Sequence, residues 1–323
     1  FVQNSDPNAI IRTTGFISSL NGGFLSRETN TTNTYLFPTG SSVGTNRYRP
    51  VELTPLSTSN NTYTARLANL DATTEGFDVS NFGTGVCEVN PQFYHQINRT
   101  SGTTTVDLSI FYDNAVDGDW DGIVNWGNSP NQWENITGSS TTTGTPLDEA
   151  HTMSWNDFSQ IPYALYRTNP NPSISNAGPF CENDSAVSLV ASPTGGIWTG
   201  NGITDTINGT FDPSVAGTGT HTVYYTYTNS GCTGVDSTNI NVYSTPDATI
   251  TNPGDFCTDD TPSDLTAASS GGTWSGTGIT DSINGTFDPS VAGAGDHEIL
   301  YTVGISGCDD SDTTMIHVDS IPQ

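Results

Sequence analysis

The stretch "DNAVDGDWDG" at 113–122 puts Asp117, Asp119 and Asp121 at alternate positions, with Gly122 next. Calcium is a hard cation that takes roughly six to eight oxygen ligands, and carboxylates two apart can turn onto one centre where glycine allows a tight bend. The pattern predicts a calcium loop with Asp113, Asp117, Asp119, Asp121 and Asn125 as ligands; a solvated acidic loop is the plainer alternative. A complete loop of the helix-flanked kind would carry Glu at its twelfth position, where Asn128 stands. An ion held here is expected to stabilise the fold, not to catalyse.

The five cysteines are the second chemical set. Cys181 and Cys232 have the same separation as Cys257 and Cys308. Matched spacing predicts two disulfides, Cys181 with Cys232 and Cys257 with Cys308, formed in an oxidising compartment. A zinc site is the alternative, but it would want a CxxC pair, which the sequence lacks. Cys87 is left over and is expected to be a buried thiol.

Catalytic signatures do not accumulate. "DEAH" at 148–151 matches a helicase motif by letters alone, because a phosphate loop needs a lysine and this chain has none. Neither G-x-S-x-G nor H-E-x-x-H occurs. Paired carboxylates are so abundant in an acidic chain that they discriminate nothing. The expectation is a protein that is not an enzyme and needs no cofactor beyond calcium.

These residues must be positioned by strands. Only 33% of the 323 residues are hydrophobic, and Thr, Ser, Asn and Gly dominate the remainder. Such a mixture suits short strands and turns, and no long stretch keeps the apolar spacing of a helix. No apolar run approaches the ~18 residues of a membrane span. Phe1 opens the chain without Met or a basic-then-apolar leader, as expected of a mature product whose export signal has been removed.

The net charge is -27, and its distribution says more than its sum. All seven basic residues are arginines, and the last is Arg167; beyond it stand 18 acidic side chains and no Arg or Lys. That segment repels phosphate backbones and anionic membranes, which argues against nucleic-acid binding.

The eleven residues "INGTFDPSVAG" occur at Ile207 and again at Ile283, and Cys181, Trp198, Phe211, His221 and Cys232 recur at the same offset as Cys257, Trp274, Phe287, His297 and Cys308. A fixed offset over so many landmarks is a tandem module. "HTVYYTYT" and "STNINVY" alternate as strands do. Cys, Trp and Cys in that order predict a small immunoglobulin-like sandwich with Trp packed on the bridge. Duplication of His221 as His297 argues for a structural role.

With these motifs the region 170–320 resembles the Ig-like repeats of large secreted surface proteins of Bacteroidetes, including gliding adhesins, where "GG-[TI]-W-[ST]-G-x-G" and "G-T-F-D-P-S-V-A-G" recur in arrays. The resemblance implies export through type IX secretion, although the family's C-terminal sorting domain has no counterpart in this sequence. It also implies O-glycosylation at Asp-Ser/Thr sites, here Ser185, Thr206, Ser237, Ser282, Thr313 and Ser320; chance in a Ser/Thr/Asp-rich chain is the alternative. The first 167 residues resemble another surface element of the same group through FP-x-G (37–40), Y-R-P (48–50) and W-x(6)-W-E (126–134). Strands at 34–37, 50–54, 62–67, 92–98, 104–112 and 132–136 predict a larger antiparallel sandwich of jelly-roll type, with Phe93, Tyr94, Phe111, Tyr112, Trp126 and Trp133 in its core.

The expected organisation is all-β: an N-terminal sandwich at 1–167 and two Ig-like modules at 168–245 and 246–323. The expected role is extracellular and structural or adhesive, either the stalk segment of an adhesin or a subunit of a surface filament. In a filament other copies of the chain would be partners, with "NAIIRTTGFISSL" at 8–20 as a strand for exchange. Surface-anchoring or secretion machinery and a glycan are the other expected partners; nucleic acid and membrane insertion are not expected. The alternative is a secreted carbohydrate-binding or carbohydrate-active protein with Ig-like spacers.

Overall fold

A computed structural model describes residues 5–18, 22–136, 140–144, 147–160 and 162–321. The chain is all-β, with β-sandwich modules throughout. Its contacts form two compact units: Phe1–Pro170 with Asn229–Cys232, and Asn171–Thr228 with Thr233–Gln323.

The first unit is built mainly on two sheets, with a small three-stranded sheet of Ile17–Ser18, Thr39–Ser41 and Arg47–Tyr48 beside them. One of the two main sheets runs in the order Ser140–Thr142, Asp148–Trp155, Val106–Tyr112, Val51–Pro55, Tyr35–Phe37. The other runs Trp133–Asn135, Gly122–Trp126, Pro162–Arg167, Tyr94–Ser101, Asn61–Ala68, Leu25–Thr29, with Glu88–Val89 added on Pro162–Arg167. Pairing within both sheets is antiparallel, and the six strands expected from alternation all fall within a few residues of observed ones. Alternation drives this architecture. Val106, Leu108 and Ile110 from the first sheet meet Tyr63, Ala65 and Leu67 from the second in one buried cluster.

The larger sheet is apolar on its other face too. Tyr94, Val124, Trp126, Trp133 and Tyr166 form a second cluster, covered by Phe77, Val79 and Phe82 from the connecting segment. Five of the six predicted core aromatics are buried there or in the main core; Phe111 is only half-buried, because it points from its strand to the opposite face from Tyr112.

In the second unit each copy of the repeat has its own core. Trp198, Phe211, Val223, Tyr225 and Ile240 anchor the first, and Trp274, Phe287, Ile299, Tyr301 and Ile316 occupy the same places in the second. A four-stranded sheet is dominated by one long hairpin: Gly219–Asn229 with Cys232–Tyr243, then Gly295–Ile305 with Cys308–Asp319. A three-stranded sheet accompanies it in each copy. Among the described residues no helix is long and apolar enough to cross a membrane.

Candidate functional site

The cysteines overturn the expected pairing. Cys87 bonds Cys232 and Cys181 bonds Cys308, with Cα separations of 5.7 and 5.5 Å; Cys257 is free and exposed. Strand direction explains the error. Cys232 opens the strand Cys232–Tyr243, while Cys181 pairs in parallel register with Tyr243 at the other end. Eleven steps at ~3.3 Å separate those ends by roughly 35 Å, and a disulfide spans at most about 7 Å between Cα atoms. Cys257 lies beside Asp319, at the end of Cys308–Asp319 away from Cys308, so the second predicted bond fails identically. Each module instead offers a cysteine at a hairpin tip, and that cysteine reaches back to a preceding part of the chain. Cys87 is therefore a cystine, not a lone thiol.

Without a bridge beside it, the repeated Trp packs on aromatic and glycine surfaces. The ring centroids of Trp198 and Tyr225 are 4.7 Å apart, and those of Trp274 and Tyr301 are 4.4 Å apart. A Cβ on Gly209 or Gly285 would come within 2.6 Å of the indole nitrogen, and both glycines have positive φ. This is why "NG" recurs in the motif. Next, Asp212 and Asp288 cap the one-turn helices Pro213–Ala216 and Pro289–Ala292. His221 and His297 each bond through Nε2 to the carbonyl of Gly217 or Gly293 at 2.8 Å, the structural role the duplication pointed to.

The acidic loop is distributed over separate tasks. Asp117 is fully buried at its side chain, where Oδ1 accepts from Arg47 Nε at 3.0 Å and Oδ2 accepts from Arg49 Nε and from the backbone N of Asp113. Asp113 caps the one-turn helix Asn114–Asp117. The carbonyl of Asp119 accepts from Arg167, and Asp121 accepts from the backbone N and the hydroxyl of Thr168. Asn125 lies within a strand and donates to the carbonyl of Pro162 at 2.9 Å. The five predicted calcium ligands do not converge, and among the described residues no group of three or more His, Cys, Asp or Glu is placed to hold a metal. Electrostatics accounts for Asp117: two guanidiniums from "NRYRP" pair with its buried carboxylate. Alternate arginines in that stretch were the available signal, but nothing local tied them to an aspartate some seventy positions away.

His95 sits against the same cluster. Its Nε2–H donates to the carbonyl of Arg49 at 2.9 Å, and Nδ1 has no partner. Burial above all pushes its pKa down to about 4, so the ring is neutral. The other borrowed motifs are also core devices. Trp126 and Trp133 face each other across a strand pair, rings 5.5 Å apart, and Gly40 makes room for the Phe16 ring.

Two surface features of the first unit remain. On the outer face of the five-stranded sheet, Ser109 Oγ bonds Glu149 and His151 Nδ1, the latter at 3.1 Å. Glu149 approaches the same imidazole nitrogen at 3.6 Å, so the ring cannot relay a proton between them as a hydrolytic triad requires. The second is a cleft of about 560 Å³ lined by Asn125, Glu134, Asn135, Trp155, Asp157 and Gln160 among others. Amides, carboxylates and one half-buried indole make a surface that can hydrogen-bond hydroxyls and stack on an apolar face.

All six predicted glycosylation hydroxyls, Ser185, Thr206, Ser237, Ser282, Thr313 and Ser320, are on exposed residues. No family model matches the chain. No curated protein matches it either. Among solved structures it is similar to a SusE-like surface-located polysaccharide-binding protein from the Bacteroides thetaiotaomicron heparin utilisation locus, at 10% identity and a TM-score of 0.21, over 86% of this chain and 62% of that one. The chain thus spans less than two thirds of that protein. It is also similar to the N-terminal four Ig domains of Dscam1 isoform 4.4, at 12% identity and a TM-score of 0.26, over 70% of this chain and 80% of that one. Scores of this size leave the fold resting on the chain's own sheets and cores.

Proposed function

We propose that this chain is an extracellular surface protein with a structural and adhesive task, a stalk whose Ig-like modules are tied by cystines to what precedes them. The observation that carries this reading is the direction of the two disulfides. Tandem modules are ordinarily joined by one backbone linker, which any pull loads alone. Here each hairpin tip adds a second covalent connection, so tension is shared and the enclosed loops, with sequence separations of 145 and 127, cannot be drawn out. Cystines fit an oxidising exterior, and a unit without cations tolerates a saline one. The resemblance to type IX-secreted adhesins supports the same location, with export and anchoring machinery as partners.

The stalk is favoured over the filament subunit. The strand offered for exchange is used within the first unit: Ile10 packs on the main core, and Ile17–Ser18 pairs with Thr39–Gly40, while Ser19 and Leu20 lie outside the described residues. A glycan is the proposed adhesive ligand, supported by the amide-rich cleft beside Trp155. Neither role involves catalysis.

Pulling single molecules by their two ends tests the reading. The stretched length in oxidising buffer is expected to fall well short of that in reductant, with a gain of roughly 3.4 Å for each residue freed. Equal lengths in the two buffers refute a tension-sharing role.

A further inference from the structure

The two copies of the repeat present the same thiol in the same frame, and only one of them is occupied. In the first copy, Phe180–Cys181 pairs in parallel with the end of Cys232–Tyr243; in the second, Phe256–Cys257 pairs with the end of Cys308–Asp319. The backbone N of Cys181 donates to Asp184 at 2.7 Å, and that of Cys257 donates to Asp260 at 2.7 Å. Asp184 N returns a bond to the carbonyl of Cys181 at 3.0 Å, as Asp260 N does to Cys257. The preceding ring packs on the core phenylalanine in both, Phe180 on Phe211 and Phe256 on Phe287. Cys181 is bonded to Cys308, whereas Cys257 is exposed.

The incoming partner is equally stereotyped. Cys232 and Cys308 each follow a two-residue Ser-Gly turn with positive φ at both positions, 50° and 88° at Ser230 and Gly231, 53° and 89° at Ser306 and Gly307. Such a turn closes a tight hairpin and places the cysteine at its tip. Cys87 and Cys181 are both taken by tips of this kind.

We infer that Cys257 is the open half of the same coupling, shaped to receive the Ser-Gly-Cys hairpin tip of a further Ig-like module placed after Gln323. This rests on the stalk reading and extends it: the coupling is propagated from module to module, and the second module is built to pass it on. Forming the bond joins two sulfurs. Both thiols give up their protons, and two electrons pass to a disulfide-bearing oxidant, which leaves as two thiols. A second copy of this chain is not the matching partner, since its own hairpin tips are already spent on Cys87 and Cys181 and its remaining thiol is another Cys257.

The test adds the missing partner to the full chain. A copy of residues 248–323 appended after Gln323 keeps the repeat in register. Both proteins are folded in oxidising buffer, alkylated without reduction, and mapped by mass spectrometry. The original chain is expected to take one label per molecule, at Cys257. The extended chain is also expected to take one label, now on the first appended cysteine, with Cys257 bonded to the appended hairpin tip. Replacing Cys257 by serine (Cys257→Ser) in the extended chain is expected to leave that tip alkylated, which separates lost pairing from failed folding. Cys257 still labelled while the two appended cysteines bond each other overturns the inference, as does a Cys257–Cys257 dimer. Absence of Cys87–Cys232 and Cys181–Cys308 in the original chain would instead overturn the stalk reading itself.

Discussion

The N-terminal sandwich and the tandem modules solve the same acidic charge problem in opposite ways. In the sandwich all seven arginines donate hydrogen bonds, and Arg27, Arg47, Arg49 and Arg66 are buried. Arg27 reaches the carbonyls of Asp6, Pro7 and Leu36 and so holds the N-terminal segment in place. The modules have no such cation, and their aspartates turn to the backbone. Asp236 accepts from the N of Ile174 at 2.7 Å, and Asp312 repeats this with Ile250 at 2.8 Å. Asp205 and Asp281 each accept from two successive backbone amides. The sandwich is specified by a few arginine ion pairs, the modules by aspartate bonds to backbone amides, some within a turn and some 62 residues apart, plus cystines.

This contrast can be broken first at Asp117. Asp117→Ala leaves two buried guanidiniums without their carboxylate and is expected to cost roughly 3–5 kcal/mol, read as a fall in the denaturant midpoint of the sandwich. A change below experimental error would mean that the pair is not holding the sandwich together.

The pH response should separate the regions next. His95 has a folded pKa of about 4, below its ordinary 6.5. The unfolded chain therefore binds the extra proton first, and stability present above pH 6.5 is lost as pH falls toward 4, up to about 3 kcal/mol. In the second module His317 has the opposite sign: the hydrogen bond its imidazolium donates to the Asp296 carboxylate raises its pKa, so its small contribution is present below the ordinary value and fades as pH rises. Hydrogen exchange followed separately at 106–112 and 295–305 checks both slopes, and parallel profiles would erase the distinction.

Smaller effects sharpen it. Asp212→Ala and Asp288→Ala each remove a helix cap and are expected to lower the melting temperature by small, matching amounts in thermal melts, because the two copies share one geometry. Last, chelating calcium is expected to leave the melting temperature of the sandwich unchanged, since the oxygens of Asp117 are already taken. A rise of several degrees on adding calcium would restore the loop as a metal site.

Much of the fold was legible because it is written locally. Alternation marked the strands of the sandwich, and a constant offset marked the modules. Cys181, Cys232 and Cys308 were legible as cystines, but neither their pairing nor the exchange of Cys257 for Cys87 was, since separation along the chain does not reveal which end of a strand a residue occupies. The partners of the acidic loop were hidden for a related reason: its letters match a calcium loop, and the arginines that pair with Asp117 come from a distant stretch of the chain. The cleft beside Trp155 left no signal at all, because its lining is gathered from three stretches between 125 and 160 whose polar residues look like ordinary loop composition.

The backward reach of the hairpin tips has a consequence for biogenesis. A chain emerging N terminus first exposes Cys87 and Cys181 long before either rightful partner has been delivered, so the earliest thiols able to meet are mismatched. Correct pairing then requires oxidation to wait for the later segments, or an isomerase to reshuffle early mistakes. Maturation of this protein is governed by the order in which its segments arrive.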